Sequence, residues 1–215
     1  ENVIKKGTHL AANVLEVSAQ DISFKNGIFL VDGTDRKIDL FELAAIGERD
    51  GASLSTYNVW ERQAMTFPNG AHAVELEVDS ETGKVRLHRY LVVDDYGVIV
   101  NALLVEGQVH GAIANGIGQA LLEEVTFDPK TGQPLTGSFM DYAIPKADDF
   151  IAYQIEFQGT PCTTNPLGVK GCGEGGTVAA VPAVINAVVD ALSGYGVYHL
   201  DGPITSSKIW RLLRT

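Results

Sequence analysis

The chain has 215 residues, 45% of them hydrophobic and 20% charged, and carries a net charge of −11 at neutral pH. That length and balance support a folded core of one domain or two small ones and exclude a largely disordered chain. The acidic balance does not suit a nucleic-acid or anionic-membrane surface, and no apolar run approaches the roughly 20 residues that span a bilayer.

The opening residues, Glu1-Asn2-Val3-Ile4-Lys5-Lys6, lack the long apolar core of a signal peptide. Residues 1–17 read as a helix with Val3, Ile4, Leu10, Val14 and Leu15 near one stripe and Lys5 and Lys6 turned away. Short strands at Ile22–Lys25 and Ile28–Val31 are joined by the Asn26-Gly27 turn signal. Asp39–Ile46 reads as a short helix with Asp39 as N-cap.

The clearest β signal is Gly70–Asp95. Ala73, Glu75 and Glu77 alternate with Val74, Leu76 and Val78, Ser80–Gly83 turns, and Val85–Val93 returns. Helices are expected over Leu103–Glu123, over Pro182–Leu192 with Pro182 in the first turn and Gly194 beyond the end, and over Ser206–Leu213. The mixture predicts an α+β fold, a mixed or antiparallel sheet with helices packed on one side.

Cys162 and Cys172 make no disulfide framework, which suits a reducing compartment. Their spacing matches no common zinc pattern, and two thiols do not hold an iron–sulfur cluster, so no metal ligand set is read within the chain.

At helical spacing, Leu103–Glu123 shows three stripes. Val109, Ile113 and Ile117 form an apolar stripe for the core; Gly107, Gly111, Ala114 and Gly118 form a small-residue stripe; Gln108, Ala112, Asn115 and Gln119 form a short polar one. Glycines in a helix cost about 1 kcal/mol each relative to alanine. They suit a position where something must come close, either a neighbouring helix or a ligand.

Asn165-Pro-Leu-Gly-Val-Lys-Gly-Cys-Gly-Glu-Gly-Gly176 places one carboxylate, Glu174, on a glycine-rich loop ahead of an apolar helix. Such a carboxylate can act as a general base on a bound substrate. By pattern alone, a glycine-rich connection with a solvated Glu174 is the simpler explanation of the loop. Lys170, four residues away, would weaken Glu174 as a base if the two side chains met. The Gly171–Gly176 run also mimics a dinucleotide fingerprint, but no strand leads into it and Pro161 and Pro166 interrupt the approach. His110 reads as a packed or hydrogen-bonded residue, and Asp94-Asp95 as a hairpin-end charge pair.

Four segments share a further pattern: Val93-Asp94-Asp95-Tyr96-Gly97 with Asn101; Val105–Gly111 running on to Gly116–Leu121; Leu135–Tyr142; and Thr164–Gly176 followed by Pro182–Ala187. In this order they resemble the C-terminal part of the molybdenum hydroxylase large subunits, the xanthine dehydrogenase and aldehyde oxidase family, and are most similar to its aerobic carbon monoxide dehydrogenase-like branch. The resemblance implies that residues 1–215 are the C-terminal part of a molybdopterin-binding domain, a piece of a larger subunit that is inactive alone.

It further implies that Glu174 is the catalytic glutamate and that Gln108 lies against the pterin. Gly173 would offer a backbone N–H to the cofactor, with Gly171 and Cys172 in the same cofactor-binding stretch. Cys172 itself reads as an inert small hydrophobe. The cofactor implied is molybdenum–molybdopterin in its cytosine dinucleotide form. The partners implied are the rest of the large subunit, an iron–sulfur subunit and an FAD subunit, in the cytoplasm. The substrate would be small, namely carbon monoxide, an aldehyde or a heterocycle, with water as the oxygen source. Asn115 departs from the glutamine frequent at its position, and Asn101-Ala102 replaces the usual Asn-Pro. Two other readings stand beside this one: an assembly or binding domain that keeps the fold without activity, and an unrelated hydrolase using Glu174 with His110 or Asp95.

Overall fold

A computed structural model describes residues 1–62 and 64–214. They fall into two compact units, Glu1–Glu61 and Arg62–Thr215.

In the first unit, helix α1 (Asn2–Val14) precedes strands β1 (Ile22–Lys25), β2 (Ile28–Val31) and β3 (Lys37–Asp39) and helix α2 (Leu40–Arg49). The strands form an antiparallel sheet in the order β1-β2-β3. Asn26 and Gly27 both take left-handed backbone, φ 49° and 81°, which suits a two-residue hairpin to the twist of its strands. Asp39 caps α2 as expected, its carboxylate accepting from the N–H groups of Phe41 and Glu42. Strand β3, just before that cap, was not expected.

The apolar stripe expected on α1 is buried only in part: Leu10 and Leu15 pack against the core, but its other members do not. Val3, Ile4 and Val14 are exposed, whereas Gly7, Ala11 and Ala12 are buried. The Phe29 ring occupies the place a Cβ on Gly7 would need, so α1 packs through its smallest residues. Ala11, Phe29, Ile38, Leu43 and Leu54 form this unit's core. The helix also stops short of residue 17, because Glu16 is left-handed at φ 52°.

The second unit carries strands β4 (Asn69–Val78), β5 (Val85–Asp95) and β6 (Gln154–Phe157) and helices α3 (Ala102–Leu121), α4 (Gly175–Ala191) and α5 (Ser206–Leu212). The sheet runs β4-β5-β6, with β4 and β5 antiparallel and β5 and β6 parallel. It is therefore mixed, and the unexpected β6 makes it so. The expected alternation on the hairpin is present with one interruption. Glu75 pairs with Arg89 and Leu76 with Leu87, so His88 is an extra residue. This bulge lets both Leu87 and Tyr90 face the core, which strict alternation would forbid.

Val109, Ile113 and Ile117 of α3 are buried as expected, packed with Leu87, Tyr90, Val92, Ala180 and Val184. Of the expected small-residue stripe, Gly118 is closely approached, a Cβ there lying 2.9 Å from Pro145 Cδ, but the contact between α3 and α4 uses other glycines. A Cβ on Gly116 would lie 2.5 Å from Ala180 Cβ, and one on Gly176 would lie 2.7 Å from Ala112 Cβ, whereas at Gly107 and Gly111 a Cβ would meet nothing. Helix α4 begins at Gly175, seven residues before the position expected from Pro182. Pro182 lies inside the helix, and the hydrogen bond it cannot donate leaves the carbonyl of Val178, an exposed residue. The small residues ahead of it are helical because they pack into α3, which outweighs the proline signal. Below them, Val188, Leu192, Ile204 and Ile209 form a second cluster, and Thr205 caps α5.

Candidate functional site

The glycine-rich loop is pinned beside the end of β5. The N–H of Lys170 donates to the Tyr96 carbonyl at 2.9 Å, the N–H of Val98 donates to the Gly168 carbonyl at 2.9 Å, and Gly97 bridges Val169. Asn165 closes the turn from within, its amide donating to the Val169 carbonyl and accepting from the Val169 N–H. Gly168, at φ 68°, supplies backbone that other residues rarely adopt.

Asp95 fastens the same segment through its side chain. Its carboxylate accepts from Lys170 Nζ at 2.6 Å and from the N–H groups of Gly97 and Thr160. These three donors, the lysine foremost, hold the Asp95 carboxyl at about 2, well below its ordinary 3.8. Lys170 thus pairs with Asp95 and not with Glu174, so the opposition expected from it has a different target. A depressed folded value means that the pairing contributes stability above pH 3.8 and loses it as pH falls through about 2. Carbon-13 NMR of the Asp95 carboxyl should therefore titrate near pH 2, and Lys170→Met should move its midpoint up toward 3.8.

The expectation of a hairpin-end charge pair at Asp94-Asp95 is overturned. Both are buried, 3% and 9% exposed, and they lie at the strand end away from the hairpin turn. Asp94 accepts from the Tyr96 hydroxyl at 2.6 Å, and its other oxygen faces His72 Nε2 at 3.5 Å. His72 in turn meets the Tyr90 hydroxyl through Nδ1 at 2.9 Å. Burial first, then the Asp94 carboxylate, raise the Tyr96 hydroxyl far above its ordinary value, so Tyr96 stays a donor. Sequence reading missed this network, whose only signal was two acids and a tyrosine closing an apolar strand.

Beyond Lys170 the loop reaches the residues singled out from sequence. Gln108 on α3 donates its side-chain N–H to the Gly173 carbonyl at 2.9 Å, joining two segments far apart in the chain. Among the described residues, neither the Gln108 side-chain oxygen nor the Gly173 N–H has a hydrogen-bond partner. At Gly171 and Gly173 a Cβ would meet nothing within 4 Å, so backbone lies open there. Cys172 is half-buried against the core cluster, as a small hydrophobe would be. Glu174 stands at the N-terminus of α4, exposed, with no side-chain cap and no partner for its carboxylate among the described residues. A cavity of about 340 Å³ is lined by Asn69, Gly70, Asp94, Tyr96, Glu174 and Gly175.

The remaining candidates separate from this group. His110 lies near the Tyr153 ring, centroids 5.1 Å apart, and faces Glu106 one turn away. Asn115 accepts from Gln119 along α3. Gln108, Gly171, Cys172, Gly173 and Glu174 are thus brought together, while His110 and Asp95 each have other partners. The hydrolase reading loses both of its proposed helpers.

Residues 1–151 match the family model for a molybdopterin cofactor-binding domain, a span that includes Gln108 and ends before the Glu174 loop. Subunit gamma of the 6-hydroxypseudooxynicotine dehydrogenase complex of Paenarthrobacter nicotinovorans is 36% identical over 97% of this chain and 27% of its own length. The carbon monoxide dehydrogenase large chain of Hydrogenophaga pseudoflava is 30% identical over 97% of this chain and 27% of its own length. Among solved structures, the Cu,Mo-CO dehydrogenase superposes with a TM-score of 0.85 at 30% identity, covering 98% of this chain and 27% of that one. The chain spans about a quarter of the length of the curated relatives it matches. Among the described residues, no helix is long and apolar enough to cross a membrane.

Proposed function

The chain belongs to the molybdopterin cofactor-binding domain family of the molybdenum hydroxylase large subunits, and on that premise we propose that it serves as the C-terminal part of such a subunit, with Glu174 as general base. The observation that carries the reading is the Gln108–Gly173 hydrogen bond. It ties the polar stripe of α3 to the loop that ends in Glu174, so that the two family motifs share one surface.

The residues on that surface fit a molybdenum–molybdopterin group. Gln108 retains an unpartnered acceptor oxygen, the Gly173 N–H is likewise unpartnered among the described residues, and the backbone at Gly171 and Gly173 has no side chain to hold a flat ligand away. Cys172 backs the loop from the core side. Gly107 and Gly111 leave the neighbouring flank of α3 equally open.

When bound, the molybdenum group supplies the two-electron oxidation and the water-derived oxygen. The chain's own residues orient it and move the proton. Gln108 fixes the loop and offers a hydrogen bond, Gly173 presents its N–H, and a Glu174 carboxylate oxygen accepts the proton released as oxygen is delivered to the substrate. The substrate class is a small electrophile, carbon monoxide, an aldehyde or a heterocycle. The remainder of the large subunit completes the pocket, and iron–sulfur and FAD subunits carry the electrons away, in a cytoplasmic assembly. The cofactor is the cytosine dinucleotide form.

Native mass spectrometry of the chain purified from its own source tests this reading, with molybdenum and released cytidine nucleotide quantified on the same sample. A large complex holding both is expected. An isolated species without metal would instead identify an isolated fragment or a domain that has left catalysis.

A further inference from the structure

Glu174 has no side-chain cap, so only the backbone beneath it fixes the point from which its side chain springs. That backbone rests on Tyr96. The Tyr96 side chain is buried at 2% exposure, and a Cβ added at Gly175 would lie 2.5 Å from its hydroxyl oxygen. The hydroxyl cannot swing clear, because it is tied to Asp94 at 2.6 Å.

Asp94 is fitted just as closely on its other side. A Cβ on Gly70 would overlap its second carboxylate oxygen, and the same oxygen faces the buried Nε2 of His72, which has no hydrogen-bond partner of normal length. Glycines on two different elements, Gly70 on β4 and Gly175 on α4, thus vacate the space around one Asp94–Tyr96 pair. Both line the cavity that Glu174 lines. Burying a carboxylate is costly unless donors surround it, and an apolar residue would end a buried strand at lower cost. A pair built at that cost, directly under the first turn of α4, suits a task at that turn.

We infer that Tyr96 and Asp94 are positioning residues for Glu174: Asp94 fixes the Tyr96 hydroxyl, and Tyr96 fixes Gly175 and with it the backbone that carries the Glu174 side chain. This inference rests on the reading of Glu174 as the proton acceptor. The pair acts through the turn and exchanges no proton with substrate. Its surroundings are His72 from β4, Tyr90 from β5 and Cys172 from the loop, while the nearby cation Lys170 is held by Asp95.

The test uses the complete enzyme and Tyr96→Phe, which keeps the ring and removes the hydroxyl. Turnover should fall about tenfold at unchanged KM and molybdenum content, and hydrogen exchange should quicken in residues 171–178. Asp94→Asn, which retains an acceptor oxygen for the Tyr96 hydroxyl, should restore most of the turnover lost in Asp94→Ala. In a Glu174→Gln background, Tyr96→Phe should cost nothing further, since a residue acting through another is not additive with it. An equal loss in both backgrounds, or no loss with unchanged exchange, overturns the inference. If Glu174→Gln itself turns over normally, the base reading falls separately. Exchange in 171–178 then decides whether Tyr96 holds this turn: faster exchange upholds the clamp, and unchanged exchange overturns it.

Discussion

Glu174→Gln in the assembled enzyme is expected to lower turnover by about 10²- to 10⁴-fold, the usual contribution of a positioned proton acceptor. Glutamine keeps the shape and the backbone of the position but cannot take a proton. Molybdenum content and thermal stability should stay close to the unaltered enzyme, because the Glu174 side chain caps no helix and is exposed. The substrate KM should change little, since the carboxylate acts on the transferring proton and not on binding as such. The measurement is steady-state turnover per bound molybdenum, with cofactor content determined on the same preparation. Turnover within a few-fold of the unaltered enzyme would remove Glu174 from the role of base. A loss that tracks a loss of molybdenum would reassign it to cofactor retention.

The parts of this site that sequence made legible are those with a local signal. The β4–β5 hairpin announced itself by alternation around the Ser80–Gly83 turn, and the core face of α3 by the spacing of Val109, Ile113 and Ile117. Asp39 was recognisable as a cap because its side chain acts on the residues beside it. What stayed hidden depends on partners distant in sequence. Strand β6 is four residues long, and its parallel pairing with β5 defines it more than its own pattern does. The start of α4 was masked by Pro182, because the force that makes residues 175–181 helical is their packing into α3. The glycines of α3 were only partly legible for the same reason: spacing groups Gly107 and Gly111 with Gly118, but only the packed neighbours reveal that Gly116 and Gly118 are compressed while Gly107 and Gly111 are open.

The residues proposed for function divide in the same way. Glu174 and Gln108 were found through the order of four motifs, and the fold adds that Gln108 reaches Gly173. Asp94 and Tyr96 were within one of those motifs, yet no local rule tells a solvated acid from one buried under the loop. Burial turned an apparent surface charge pair into two separate fastenings, Asp95 to Lys170 and Asp94 to Tyr96.

Gly176→Val should be strongly damaging although it removes no polar side chain. The added Cβ would sit 2.7 Å from Ala112 Cβ and 3.0 Å from the Val109 carbonyl oxygen, and a backbone oxygen inside α3 cannot rotate away. The helices must part, at a cost of about 1–3 kcal/mol or more for overpacking. The Thr177 hydroxyl would also lose its bond to the Ala112 carbonyl, now 3.0 Å. Because Gly173 and Glu174 immediately precede this turn, the displacement breaks the Gln108–Gly173 contact as well, so cofactor content should fall with the melting temperature. Gly173→Ala supplies the contrast. Its Cβ meets nothing within 4 Å in the chain, so the melting temperature of the cofactor-free protein should hold while molybdenum content drops. The two variants separate packing from ligand approach: one loses stability before it loses cofactor, and the other loses cofactor alone. An unchanged melting temperature for Gly176→Val would mean that α3 and α4 are not locked at that point, and full cofactor content in Gly173→Ala would mean that the ligand does not approach that backbone.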